Sequence, residues 1–355
     1  MKTLKRCACG LGLMLAVSTS AASATARPAT PPDFTAVTRY MDAGWPSLNL
    51  PGAALLVVKD GKVAYEKYFG AYTPQTVVPI ASSSKWLSAA VIMTLVDEGK
   101  IDLDAPVSRY LPEFTGDKAG MTIRQMFSHS SGLVDFPGAW DYGISMGDYA
   151  DRVAREGVMA GLPGTGVRYA SASMQVVGAI AEKITGKSWN ALFVERIGQP
   201  CEMASTTYAL RPENRNPLLA GGARSSLRDY GRFLEMIAGK GVYKGRRVLS
   251  EQAIREMQKD QTGGLPLLRA SNDRMGRASH YGLGEWLDVQ APDGRTIQVS
   301  SPGAFGFRPW LNLDRNLYGV FMMQRAPGGP GANATFDPWA LIDQVHQAVD
   351  AANSR

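Results

Sequence analysis

The sequence predicts an α+β protein: one antiparallel sheet built from both ends of the chain, terminal helices over one face, and a mostly helical part between the two groups of strands. Three observations point there. Hairpin patterns occur near the start and again near the end of the chain. Residues from about 80 to 275 read mainly as helices. An amphipathic helix flanks the strands at each end. The sheet part is expected over about 30–75 and 276–355, and the helical part over about 76–275, together forming one unit over 25–355.

The elements follow in order. Phe34, Val37, Tyr40 and Met41 recur at helical spacing over about 33–43. Ala53 to Val58 is an uninterrupted apolar run, as expected of a strand covered on both faces. Asp60-Gly61 is a tight-turn signal, and Val63 to Phe69 returns as its partner. Ser82 to Glu98 is apolar nearly all round, which marks a helix in the interior, and Gly99 is its natural stop. Further helices are expected at Ser173–Thr185, Trp189–Ile197, Ser226–Ala238 and Ser250–Met257. Strands return at Tyr281–Val289 and Arg295–Ser300 around Pro292-Asp293-Gly294, then at Ala304–Leu313 and Leu317–Gln324. In the last helix Asp337 caps, Pro338 takes the first position, and Trp339, Ile342, Val345 and Val349 line one face.

The chain has 355 residues with 45% hydrophobic and 20% charged residues, ordinary globular values that exclude a disordered or collagen-like chain. Residues 1–24 read as a cleavable secretory signal: Lys2, Lys5 and Arg6, then an apolar stretch from Leu11 to Val17, then Ala22-Ser23-Ala24. Ala24-Thr25-Ala26 is an equal alternative for the cleavage site. The apolar stretch is far short of the ~20 residues of a spanning helix. A periplasmic or secreted location follows as an expectation. Losing three cations lowers the formal charge from +6 to +3, which gives no argument for a nucleic-acid partner. Cys7 and Cys9 leave with the signal, and Cys201 alone remains. Without a basic neighbour in sequence, Cys201 reads as a buried thiol rather than a nucleophile. Three histidines, His129, His280 and His346, and no H-E-x-x-H or C-x-x-C spacing in the mature chain, give no metal site. A phosphate-cradling loop is likewise missing, so no cofactor is expected.

Chemistry concentrates at Ser82-Ser83-Ser84-Lys85. Residues i and i+3 share a helix face, so Ser82 and Lys85 can touch, whereas Ser83 and Ser84 are turned away. A hydroxyl needs a base to become a nucleophile, and a desolvated lysine can serve. The alternative is a serine cap followed by a solvated lysine. Against it, Lys85 precedes Trp86-Leu87 in a helix with almost no polar face.

Pro79-Ile80-Ala81-Ser82-Ser83-Ser84-Lys85 resembles the first box of the serine β-lactamase-like hydrolases, a group that includes class C β-lactamases, D-alanyl-D-alanine carboxypeptidases and family VIII carboxylesterases. Thr122-Ile123-Arg124-Gln125-Met126-Phe127-Ser128-His129-Ser130-Ser131-Gly132-Leu133 is similar to that group's T-I-R-x-L-L-x-H-T-S-G-L segment. Pro163-Gly164-Thr165 with Tyr169-Ala170-Ser171 and Val176-Val177-Gly178 resembles its Y-x-N region. Gly221-Gly222-Ala223-Arg224-Ser225-Ser226 with Asp229, and Ser301-Pro302-Gly303-Ala304-Phe305-Gly306, resemble its later boxes. The likeness runs from about 50 to 325.

The resemblance implies a β-lactamase/transpeptidase-like fold with the active site between sheet and helical part. It also implies roles: Ser82 as acylated nucleophile, Lys85 as its proton partner, Tyr169 as the tyrosine beside them, and the N–H groups of Ser82 and Ala304 as oxyanion donors. Two positions depart from the pattern. Ser171 replaces the asparagine of Y-x-N, where its hydroxyl can still bond Lys85. Ser301 stands where β-lactamases carry the lysine of K-T-G, so the carboxylate anchor of β-lactams and D-alanyl peptides is missing. Arg308 is a weak substitute five residues after Gly303. Gly303 and Gly306 leave room for substrate against the backbone. His129 invites a triad with Ser82, but its segment is structural in the resembling group. Phe136, Trp140, Tyr142 and Met146 form either an apolar wall over the site, suited to an acyl or aromatic substrate, or ordinary loop packing.

The leading expectation is an exported serine hydrolase acting through an acyl-enzyme, of carboxylesterase type, on small esters or amides. A β-lactamase or D-stereospecific peptidase is the second reading, and a non-catalytic penicillin- or peptide-binding protein the third.

Overall fold

The computed structural model describes residues 31–211, 214–269, 280–325 and 336–354. The expected secretory segment, 1–24, lies outside them. The architecture is α+β. Six antiparallel strands lie in the order Lys62–Gly70, Gly52–Lys59, Leu317–Met322, Arg308–Asn312, Thr296–Ser300, Trp286–Gln290. The first strand of the chain thus pairs with the last, in a register running from Ala54 opposite Met322 to Lys59 opposite Leu317.

The apolar run explains this central placement. Ala54, Leu56 and Val58 enter the large core shared with the helical part, while Ala53, Leu55 and Val57 enter a second core under the terminal helices. A strand buried on both faces cannot sit at a sheet edge facing water. Asp60 and Gly61 both have positive φ, 51° and 72°, as a two-residue hairpin turn demands. The second core is closed by Val37 and Met41 of the Thr35–Gly44 helix and by Leu341, Ile342, Val345 and Val349 of the Pro338–Asn353 helix. Asp337 caps the latter by accepting from the Trp339 N–H at 2.9 Å.

The Ser84–Asp97 helix runs through the large core with every residue from Ser84 to Leu95 buried. Gly99, at φ 68°, ends it. Trp86 meets Phe233 edge-on at 5.8 Å, tying this helix to the Leu227–Ala238 helix. Among the described residues no helix is long and apolar enough to cross a membrane.

Several elements differ from expectation, among them two strand starts and one longer helix. The strand expected from Tyr281 begins at Trp286, because Gly284 turns the chain at φ 82°. The strand expected from Ala304 begins at Arg308, because Gly303 to Gly306 form a turn with Gly306 at φ 97°. An unforeseen helix spans Met146–Glu156, opened by a reciprocal cap between Ser145 and Asp148. That S-x-x-D signal, with Met146, Tyr149, Ala150 and Val153 at helical spacing, was available in the sequence.

Candidate active site

The segment carrying Ser82 is held by its neighbours' hydroxyls. The chain leaves the short strand Val77–Pro79, paired with Arg224–Ser226, and passes through a tight turn at Ala81–Ser83 into the central helix. Ala81 has φ 47°, a left-handed conformation costing an L-residue roughly 1–2 kcal/mol. Compensating bonds surround it. Ser84 Oγ donates to the Ala81 carbonyl at 2.7 Å and accepts from the Ala223 N–H at 3.0 Å. Ser83 Oγ donates to the Ser301 carbonyl at 2.6 Å. Tyr230 and Tyr208 donate to the carbonyls of Ser83 and Ser84, each at 2.8 Å. Ser83 and Ser84 are thereby committed to structure, and Ser82 alone keeps a half-buried hydroxyl.

Lys85 is 2% exposed. Its Nζ donates to the Ala220 carbonyl at 2.7 Å and to Ser82 Oγ at 3.2 Å, and lies 4.6 Å from the centroid of the Tyr169 ring. Ser82, Lys85 and Tyr169 are therefore together. Tyr169 is fixed by stacking on Trp286 (5.5 Å, 21°), by His129 at 4.4 Å, and by its N–H donating to the Arg269 carbonyl at 2.9 Å. His129 is buried, and burial first, then the Lys85 charge, hold its imidazole well below the usual histidine range. Its Nδ1 accepts from the Ala170 N–H at 3.3 Å. It is a neutral wedge behind Tyr169, not a triad partner of Ser82.

The remaining positions divide. Ser301 is buried, and its Oγ lies 3.1 Å from the Gly284 carbonyl and 3.4 Å from the Ser82 carbonyl, bracing the backbone at Ser82. Gly303 is needed by the protein itself: a Cβ there would lie 2.1 Å from the Ile80 carbonyl oxygen. Its loop packs closely on the segment carrying Ser82. Ala304, next in that loop, is exposed, and its carbonyl accepts from Arg325 Nε at 3.4 Å. Gly306 likewise packs on Met323. Arg308 lies over the Trp339 ring at 5.2 Å, on the sheet face away from Ser82.

Ser171 does not reach Lys85 among the described residues. Its N–H donates to Asp135 Oδ1 at 2.5 Å, and the Ala220 carbonyl holds the ammonium instead. Of Phe136, Trp140, Tyr142 and Met146, Met146 is buried in its helix, Phe136 packs on Tyr149 at 6.0 Å and Tyr142 is half-buried, whereas Trp140 is 56% exposed. Cys201 is buried and its thiol is pushed up to about 12 by that burial, which keeps it unreactive.

Glu285 was not singled out in the sequence. It is fully buried, and neither carboxylate oxygen has a hydrogen-bond partner among the described residues. Burial first, then Asp288, push its carboxyl well above the usual 4.5. Folding therefore takes up a proton above pH 4.5. The stability this group permits is full below that pH and is lost as pH rises toward its folded value. Leu283 and Leu287, two residues to either side, are core residues. Glu285→Leu is expected to raise unfolding free energy by about 1–3 kcal/mol at neutral pH, with the gain shrinking toward pH 4.5. Urea unfolding at several pH values measures this, and a loss of stability at pH 7 would contradict it.

Comparison with known proteins agrees with this geometry. The family model Beta-lactamase matches residues 36–344. AmpH, a D-alanyl-D-alanine-carboxypeptidase/endopeptidase of Escherichia coli (strain K12), is 24% identical over 343 residues, covering 85% of this chain and 87% of that protein. The esterase/beta-lactamase LipL of Mycobacterium tuberculosis is 29% identical over 185 residues, covering 48% of this chain and 42% of LipL. The match is thus confined to less than half of that relative's length. The crystal structure of a putative beta-lactamase from Bacteroides dorei DSM 17855 superposes with a TM-score of 0.79 at 32% identity, covering 90% of this chain and 99% of that one. With the match spanning the sheet, the helical part and the Ser82–Lys85 turn, the chain belongs to the Beta-lactamase family of serine hydrolases.

Proposed function

We propose that the protein is a carboxylesterase-type hydrolase that forms an acyl-enzyme on Ser82. The observation that carries this is the buried ammonium of Lys85, 3.2 Å from Ser82 Oγ and 4.6 Å from the Tyr169 ring centroid. Ser82 Oγ attacks the substrate carbonyl while its proton passes to the Lys85–Tyr169 pair, which reacts with one proton fewer than ammonium plus phenol, as phenolate beside ammonium, and so has a lone pair to accept it. The N–H groups of Ser82 and Ala304 receive the oxyanion. The same proton goes to the departing alkoxide, which leaves as the alcohol. Water then attacks the acyl ester, gives one proton to the pair, and restores the Ser82 hydroxyl as the acid leaves.

Esters are favoured because Ser301 carries no charge and is turned to backbone carbonyls. One observation supports the second reading, a β-lactamase or D-peptidase. Arg325 sits on the Ala304 carbonyl, and among the described residues no carboxylate pairs with it, so it can meet a substrate carboxylate. Parallel kcat/KM measurements on p-nitrophenyl butyrate and a chromogenic cephalosporin separate the two. The ester is expected to be turned over at least about tenfold more efficiently; the reverse order, lost on Arg325→Ala, would establish the second reading. Export with cleavage after residue 24 or 26 belongs to the same proposal, and N-terminal sequencing of the exported product tests it.

A further inference from the structure

We infer that Trp140 is the acyl-recognition wall of this site, selecting esters whose acyl group carries an aromatic ring or comparable apolar bulk; this rests on the acyl-enzyme reading above. A tryptophan left 56% exposed keeps a large apolar surface in water, which folding alone does not favour. Its place gives that surface a use. The outer edge of its indole, Cη2, lies 3.8 Å from where a Gly221 Cβ would be, and the Ala81 carbonyl carbon lies 3.7 Å from the same point. Gly221 follows Ala220, whose carbonyl holds the Lys85 ammonium, and Ala81 precedes Ser82. The indole therefore stands at the mouth of the site, over the loop that fixes the general base.

The loop bearing it is held rigidly. Asn216 is fully buried, and its Nδ2 donates to the carbonyls of Gly138 (3.3 Å), Ala139 (3.4 Å) and Asp141 (3.3 Å), on both sides of Trp140. Its Oδ1 accepts from Gln175 Nε2 at 2.5 Å, and Gln175 Oε1 accepts from the Leu219 N–H at 3.0 Å. One buried amide pair thus sets both the Trp140 loop and the segment leading to Ala220. A recognition surface tied to the catalytic loop in this way is pre-organised for its ligand.

The test compares p-nitrophenyl phenylacetate with p-nitrophenyl acetate. The ratio of their kcat/KM values is expected to fall about tenfold or more in Trp140→Ala, and to return toward the wild-type ratio in Trp140→Phe, which keeps a ring. An unchanged ratio in Trp140→Ala would overturn the inference. If wild-type protein turns over neither ester, the acyl-enzyme reading fails. Trp140 is then judged by saturation-transfer NMR of phenylacetamide with the Ser82→Ala protein. Transfer to the phenyl ring that disappears on adding Trp140→Ala supports the recognition role, and transfer that persists or is absent from the start refutes it.

Discussion

Replacing Ser82 with alanine is expected to lower kcat/KM for p-nitrophenyl butyrate by about 10⁴-fold or more, with little change in thermal stability. The two expectations belong together. Among the described residues, the Ser82 hydroxyl is bonded by Lys85 and by no other side chain. The turn is held by Ser83, Ser84, Tyr208 and Tyr230. An activity loss without unfolding would therefore report chemistry. Activity surviving the substitution would mean that another group attacks the carbonyl. The buried thiol of Cys201 is unsuited to that role.

The second large effect is expected at Tyr169→Phe, which removes one oxygen and keeps the ring. The stack on Trp286, the contact with His129 and the Lys85 ammonium 4.6 Å from the ring centroid all survive this change. Proton transfer through the phenol is lost, typically worth about 10²–10⁴-fold. The loss is expected in kcat, with KM and melting temperature nearly unchanged. If kcat is also unchanged, Tyr169 is an aromatic support and Lys85 moves the proton alone.

Much of this arrangement was legible in the sequence, for physical reasons that differ by element. The Ala53–Val58 run has no polar face, so it required cover on both sides and hence a central strand. The i, i+3 spacing of Ser82 and Lys85 in a helix lacking a polar face was enough to bring hydroxyl and ammonium together. Other features left no side-chain signature. Any residue carries a carbonyl, so Ala220 as the acceptor for Lys85 could not be read from residue type. Ser301 was legible as a missing cation but not as a brace, because the direction of a small hydroxyl depends on packing between the loop from Ser301 to Gly306 and the turn at Ser82. The contact that makes glycine necessary at 303, with the Ile80 carbonyl, involves backbone and so is equally invisible in residue type. The Ser171 hydroxyl has the donor and acceptor to replace an asparagine toward Lys85, and nothing in its sequence neighbourhood signals otherwise. Asp135, distant in sequence, orients its backbone instead.

Intact-mass spectrometry with a fluorophosphonate or a slowly hydrolysed ester, followed by peptide mapping, tests the central claim most directly. An acyl-enzyme mechanism requires one adduct per chain, on the peptide containing Ser82, absent from the Ser82→Ala protein. Ester turnover with the adduct on another residue, or an adduct that persists in Ser82→Ala, would contradict it.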